Sequence, residues 1–274
     1  MGQFSGQITS IQNPRVKALL RLHQRRGRGR EGLFAVEGLR EIERALEGGI
    51  EPADAFYCPD VDPAGEAAGA LERLAASGAE VVEVSPRVYE KIAYRGSSGG
   101  LMATARRPDT SLERLSLPDD PLIVVVDGVE KPGNYGAVFR SADGAGADAV
   151  IVTSAGTDLF GPNVIRASLG TVFTVPAAEA DAAEALGWLR GRSVRVVVAL
   201  PGATVPYTKT DLRGGVAVVV GSEDTGVGAG WIEAADERVG IPMLGRADSL
   251  NVSVSAAIIL YEALRQRSCG EGGS

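Results

Sequence analysis

Leu122-Ile-Val-Val-Val-Asp127-Gly-Val-Glu-Lys131-Pro-Gly-Asn134-Tyr-Gly-Ala-Val-Phe-Arg140 runs from an unbroken branched apolar stretch, through a turn rich in glycine and proline, into a helical pattern. A short continuous apolar run of this kind reads as a strand covered on both faces. Residues 150–153, 194–200 and 216–220 repeat it, and helices are predicted at roughly 135–144, 162–169, 181–189 and 253–266. Strands alternating with helices make a parallel, helix-flanked sheet. Open sheets of this class collect their ligands beyond the carboxyl ends of the strands, so the polar islands that follow them are the candidate sites.

Three such islands stand out. In the first, Gly128 and Gly133 are spaced as in a phosphate-binding loop, but Asn134 stands where that loop requires lysine; no GxGxxG is present either. Asn134 is placed to cap the following helix. Arg140 falls on an otherwise small and apolar stretch, where a guanidinium needs an anion or acceptors. The second island is Gly221-Ser-Glu223-Asp-Thr-Gly226, and the third is Ile241-Pro-Met243 leading to Ser249-Leu250-Asn251-Val-Ser253. Ser249 and Asn251 can cap the last helix.

Composition narrows the chemistry. The chain has 274 residues, 45% hydrophobic and 23% charged, so it can bury a core of one large or two modest domains. Two cysteines, Cys58 and Cys269, exclude a disulfide framework and any CxxC metal site, and the expected compartment is the cytoplasm. His23 is the single histidine, so a catalytic triad, a Cys–His dyad or a histidine zinc site would have to use it. No apolar run approaches the roughly 18 residues that a membrane helix needs, and no secretory signal or bound metal is expected.

The net charge of −7 hides an asymmetry. Residues 1–107 hold 15 basic and 14 acidic side chains, whereas the remainder holds 13 and 21. Arg15, Lys17, Arg21, Arg25, Arg26, Arg28 and Arg30 crowd into the first 30 residues with no acid among them, a pattern that suits phosphate contact by arginines set among flexible glycines. The first half reads as a small α/β unit opened by Asn13-Pro14, a helix start. Three prolines near residues 108–120 suggest a linker, giving domains 1–107 and 121–274.

Taken together, Asn134 to Arg140, Gly221 to Gly226 with Ile241-Pro-Met243, and Ser249 to Ser253 resemble the three motifs of the SpoU family of RNA ribose 2'-O-methyltransferases, in the SPOUT class, in order and spacing over residues 121–267. Asn13-Pro14-Arg15-Val-Lys17 and Phe34-Ala-Val-Glu37-Gly38 resemble the ribosomal-protein-L30e-like RNA-binding domain of the large-subunit rRNA branch, and the whole is similar to actinomycete avilamycin-resistance rRNA methyltransferases. The resemblance implies an α/β fold: a trefoil-knotted parallel-sheet catalytic domain, working as a homodimer, behind a small α/β RNA-binding domain. It implies S-adenosyl-L-methionine held by Gly221, Ile241, Met243 and Leu250. Asn134, Arg140, Glu223, Ser249 and Asn251 would be the catalytic group, 23S rRNA the partner and the seven N-terminal basic residues its contacts. The family reading of Arg140 as general base conflicts with the permanent charge of arginine at neutral pH, so an electrostatic role is expected instead. A tRNA 2'-O-methyltransferase and a non-catalytic RNA-binding or ribosome-assembly protein remain alternatives.

Overall fold

The computed structural model describes residues 6–94, 99–154 and 156–268; Cys269 lies outside them. In chain order its first elements are β1 (Gln7–Ile8), α1 (Pro14–Leu22), α2 (Arg25–Glu31), β2 (Leu33–Glu37), α3 (Leu39–Glu47), β3 (Pro52–Tyr57), α4 (Ala68–Ala76), β4 (Glu80–Val84), α5 (Pro86–Ile92) and β5 (Leu101–Arg106). There follow β6 (Leu122–Asp127), α6 (Pro132–Ala145), β7 (Ala149–Thr153), α7 (Pro162–Ala167), α8 (Thr171–Thr174), β8 (Ala177–Ala180) and α9 (Ala182–Arg190). The last are β9 (Arg195–Ala199), β10 (Val205–Pro206), β11 (Val216–Gly221), α10 (Ala229–Ala234), β12 (Glu237–Gly240) and α11 (Val252–Ser268).

Two compact units result: Met1–Pro108 with Asp158–Thr174, and Asp109–Thr157 with Val175–Ser274. The first holds a five-stranded mixed sheet in the order β1-β4-β3-β5-β2, with β5 antiparallel to both neighbours. The second holds a seven-stranded sheet, β10-β12-β9-β11-β6-β7-β8, parallel at every pairing. The four strands read from apolar runs form its middle, and β6, β7 and the first five residues of β11 are buried throughout. The short strands β8, β10 and β12 lack such a run; pairing with a neighbour, rather than local pattern, makes them strands.

Three expectations change. The arginine-glycine stretch is not a flexible tether but helix α2, closed by Gly32 at φ 63°. Arg28 is withdrawn from any RNA: it is 5% exposed, with Nε 2.6 Å from Asp158 Oδ2, and it donates to the Leu22 carbonyl at 2.7 Å. Arg107 meets the other oxygen of Asp158 at 2.9 Å. Burial alone would raise that carboxyl; the hydrogen bond and charge of Arg28, with Arg107, take it below its usual value. Segment 158–174, read with the second half, thus belongs to the first unit, where Phe160 and Phe173 stack on Phe34 with centroids 4.9 and 5.8 Å away. Residues 109–120 are not a loose linker: Leu112 and Leu115 enter the core of the second unit, and the Thr110 carbonyl accepts from Glu179 N at 2.8 Å.

The two glycines of α2 behave differently. A Cβ on Gly27 would lie 1.9 Å from the Arg21 carbonyl oxygen, whereas Gly29 faces open space. Gly27→Ala is expected to destabilise the fold by about 2 kcal/mol through that backbone clash. Gly29→Ala should stabilise it by about 0.5–1 kcal/mol, because the unfolded chain loses freedom and the helix does not object. Urea melts of the two variants should move in opposite directions; a common shift would mean that α2 is not this helix.

His23 is half-buried and meets the Tyr94 ring edge-on, 5.2 Å between centroids. Burial lowers its pKa.

Candidate functional site

The site grows from the ends of β6 and β11. Asp127, the last residue of β6, is 4% exposed, and its carboxylate accepts from Thr153 Oγ1 at 2.8 Å, Ser154 Oγ at 3.1 Å and Gly228 N at 2.8 Å. It ties the ends of β6 and β7 to the loop after β11. A buried carboxylate is tolerable only when its lone pairs are satisfied like this. The Asp127 carbonyl also accepts from Ser222 N at 3.1 Å, and Gly226 N donates to the Ser222 carbonyl at 2.9 Å. Gly221-Ser-Glu-Asp-Thr-Gly226 is therefore a closed, supported loop. The signal for Asp127 was in the sequence, a lone acid ending an apolar run, but it drew no role there.

Glu223 of that loop gathers the other motifs. Its Oε2 accepts from Lys131 Nζ at 2.6 Å; its Oε1 accepts from Asn134 Nδ2 at 3.3 Å and from Asn251 Nδ2. Asn251 Nδ2 also lies 3.1 Å from Asn134 Oδ1. Three segments far apart in sequence meet on one carboxylate. Asn134 is not the helix cap, since α6 begins at Pro132 with Lys131 at the cap position. Asn251 does cap: its Oδ1 accepts from Ser253 N at 3.0 Å at the start of α11, leaving its amide hydrogens for Glu223 and Asn134. Lys131 passed unnoticed in the sequence, because a lysine before Pro-Gly looks like turn decoration.

A cleft of about 140 Å³ opens beside this network. Gly221, Ile241, Met243 and Leu250 all line it, as do Ser249 and Glu223. Its walls are mostly apolar, with backbone and hydroxyl groups at intervals, the lining of a small-molecule site. Asn134, Asn251 and Arg140 are not part of the wall; the two asparagines reach it through Glu223. Arg140 is exposed and makes no hydrogen bond or ion pair with a described residue. The buried side of α6 carries Tyr135, Val138, Phe139 and Ala142, so Arg140 stands on the solvent side rather than inside an apolar face. No group of histidine, cysteine or acid side chains able to hold a metal occurs among the described residues, and no helix there is long and apolar enough to cross a membrane.

Of the N-terminal basic residues, Lys17, Arg21, Arg25, Arg26 and Arg30 are exposed and Arg15 half-exposed. Arg15 pairs with Glu80, while Arg21 and Arg30 share Glu31 at 3.1 and 2.7 Å.

The hydrogen bond and charge of Lys131, with a further bond from Asn134, hold the Glu223 carboxyl below its usual range. The ionised form is the one that accepts from all three donors, so the network persists to lower pH than an ordinary glutamate would allow. Lys131→Met removes the main lowering influence. The acid limb of a kcat/KM profile should then move to higher pH, while Lys131→Arg leaves it near its original position. An unmoved limb in Lys131→Met would separate Glu223 from activity.

The profile of the SpoU rRNA Methylase family matches residues 121–261, and that of an MRM3-like substrate binding domain matches residues 13–103. The 23S rRNA (uridine(2479)-2'-O)-methyltransferase of Streptomyces viridochromogenes is 31% identical over 263 residues, 91% of this chain and 88% of the relative. A crystal structure of an RNA 2'-O ribose methyltransferase is 46% identical with a TM-score of 0.79, covering 95% of this chain and 98% of that one. An AdoMet-bound rRNA methyltransferase from Sinorhizobium meliloti is 31% identical with a TM-score of 0.86, covering 94% and 97%. With Asn134 and Asn251 meeting on Glu223 beside the cleft, and with the family profile matching more than half of its length, this chain belongs to the SpoU rRNA methylase family.

Proposed function

We propose that the protein transfers a methyl group from S-adenosyl-L-methionine to a ribose 2'-hydroxyl of 23S rRNA. The observation that carries this reading is Glu223, which lines the cleft and at the same time accepts from Asn134 and Asn251. The cleft suits the cofactor: Ile241, Met243 and Leu250 offer apolar wall and Gly221 offers backbone at the strand end. Bound there, the cofactor supplies an activated methyl on a sulfonium. The chain's own residues then have to place a weak nucleophile and stabilise the charge it develops. Asn134 and Asn251, locked by Glu223, orient the ribose, and Ser249 at the cleft wall helps to seat it. Arg140 holds the adjacent phosphate or the developing alkoxide with its planar fork. Guanidinium groups stay protonated at neutral pH, so the proton acceptor is not this side chain.

The RNA lies along Arg15, Lys17, Arg21, Arg25, Arg26 and Arg30; Arg28 is left out because it is buried against Asp158. Salt dependence of binding should weaken as Lys17 and Arg26 are replaced by glutamine. Substitution is the right tool here. Deleting residues 1–107 would strip Phe34, Arg28 and Arg107 from Phe160, Phe173 and Asp158 and leave that surface open.

The family's trefoil knot is supported by a strand order that places β11 between β9 and β6 and by α11 packing along both α6 and β11. Arg267, near the end of α11, donates to the carbonyls of Leu212 and Asp120 at 3.1 and 2.9 Å, which secures that segment. A homodimer is favoured by the exposed Val254 and Tyr261 of α11. We infer that the enzyme works in the cytoplasm and that its first unit, read as a ribosomal-protein-L30e-like RNA-binding domain, holds the rRNA. Protection against a ribosome-targeting antibiotic of the avilamycin type is the finer reading, checked by growth of a host with and without the gene.

Purified protein with methyl-labelled S-adenosyl-L-methionine and 23S rRNA tests the proposal. Label in one ribose, mapped by resistance to alkaline cleavage, is expected. Binding of the cofactor without transfer to any RNA would favour the non-catalytic reading, and transfer to tRNA alone would move the enzyme to the tRNA branch.

A further inference from the structure

Among the described residues, the charged side chains that line the methyl-transfer cleft are Glu223 and Asp248, both acids. No lysine, arginine or histidine stands in that wall, which is built from residues between 199 and 255 of the second unit. The two acids differ in how their charge is met. Glu223 is neutralised from outside the cleft: its Oε2 accepts from Lys131 Nζ at 2.6 Å, and its Oε1 accepts from Asn134 and Asn251. Asp248 lies in the loop between β12 and α11, which also brings Ile241, Met243, Ser249 and Leu250 to the wall. It is exposed and makes no hydrogen bond or ion pair with a described residue. Arg246, two positions earlier, is exposed too and does not bridge to it. The wall therefore carries a negative charge at Asp248 that no described side chain pairs.

The methyl donor carries the complement. In S-adenosyl-L-methionine the ammonium and the carboxylate balance each other, which leaves the sulfonium as the unbalanced charge. Methyl transfer removes it. The electron pair of the broken S–C bond stays on sulfur, the methyl bonds to the ribose oxygen, and the hydroxyl proton leaves. The product, S-adenosylhomocysteine, is a neutral thioether with the same adenine, ribose and amino-acid parts. Apolar and backbone groups can distinguish donor from product only by one methyl, whereas a carboxylate distinguishes them by a whole charge. Unit charges a few ångströms apart in a wet cleft change an affinity about threefold or more.

We propose that Asp248 is a specificity-determining residue of the cleft: its carboxylate favours the cationic methyl donor over the neutral product, so that spent product is exchanged for donor after each turnover. The inference rests on the methyl-transfer reading of the cleft.

The test is a calorimetric titration of the full chain with S-adenosyl-L-methionine, S-adenosylhomocysteine and sinefungin, in which an amine-bearing carbon replaces the sulfonium and keeps the positive charge. Asp248→Asn preserves the size and polarity of this exposed side chain and removes only its charge. It is expected to lose about threefold or more in affinity for the two cationic ligands, while the product shifts by less than about twofold. Asp248→Lys should widen the same difference. In the unmodified protein the preference for the cations should shrink in about 1 M NaCl, because an exposed pair is screened. An equal loss for all three ligands would put Asp248 against a part that they share, and no loss for any would put it out of reach; either result overturns the inference. So does a loss confined to S-adenosyl-L-methionine, since sinefungin carries the same charge. Label transfer to rRNA by the unmodified protein is followed in parallel. If donor binding and transfer are intact while the Asp248 variants show no selective loss, this inference alone falls. If the unmodified protein binds the ligands without transfer to any RNA, the enzyme reading falls and the titrations still report on Asp248. If it binds none of the three, both fall.

Discussion

Arg140→Ala is expected to lower kcat by about 10²–10³-fold, the usual loss when one charge-stabilising donor is removed from a transition state. Cofactor affinity, measured by calorimetry, should stay unchanged, because Arg140 does not line the cleft. Stability should hardly move either, since the side chain is exposed and makes no hydrogen bond or ion pair with a described residue. That combination separates a residue that acts on the substrate from one that supports the fold. Arg140→Lys sharpens the result. A lysine keeps the charge but not the bidentate plane, so activity should recover only in part. Full recovery would reduce the role of Arg140 to simple charge; an equal fall in kcat and cofactor affinity would make it structural.

Gly221→Ala should produce the opposite signature. A Cβ at this strand end would lie 2.3 Å from the Gly226 carbonyl carbon and 2.4 Å from Val227 N, all backbone of the loop that returns over it. Backbone cannot step aside as the tip of a long side chain can, so the loop from Gly221 to Gly226 must open. Cofactor affinity should fall by about 100-fold or more, and activity with it, because Gly221, Glu223 and Gly226 all line the cleft. Gly226 resists substitution for a different reason: an added Cβ would meet nothing within 4 Å, but its φ of 70° puts the backbone in the left-handed region. A Gly221→Ala protein that binds the cofactor normally would show that this loop is not the one described.

Much of the site was legible in the sequence because its signals are local. Gly221, Glu223, Ile241, Met243, Ser249 and Leu250 were singled out through the resemblance of their polar islands to the SpoU motifs, and all six line one cleft. Strand ends announce themselves by the stop of an apolar run, and loops by glycine. Lys131 and Asp127 escaped attention because their importance lies entirely in their partners, Glu223 in one case and Thr153, Ser154 and Gly228 in the other. Arg28 shows the reverse error. Among six neighbours of like charge it looked like one more phosphate contact, yet Asp158, 130 residues away, takes it into the interior.

By itself, then, the amino-acid order determined the covered parallel strands, the polar turns at their ends and the helix starts at Pro14 and Asp181, since periodicity and capping act over a few residues. Only the tertiary structure decided that Asn134 and Asn251 share one carboxylate, that 158–174 packs with the first unit, and that β8, β10 and β12 are strands at all. Those outcomes depend on which distant groups chain closure brings within hydrogen-bond reach, and no local pattern encodes that distance.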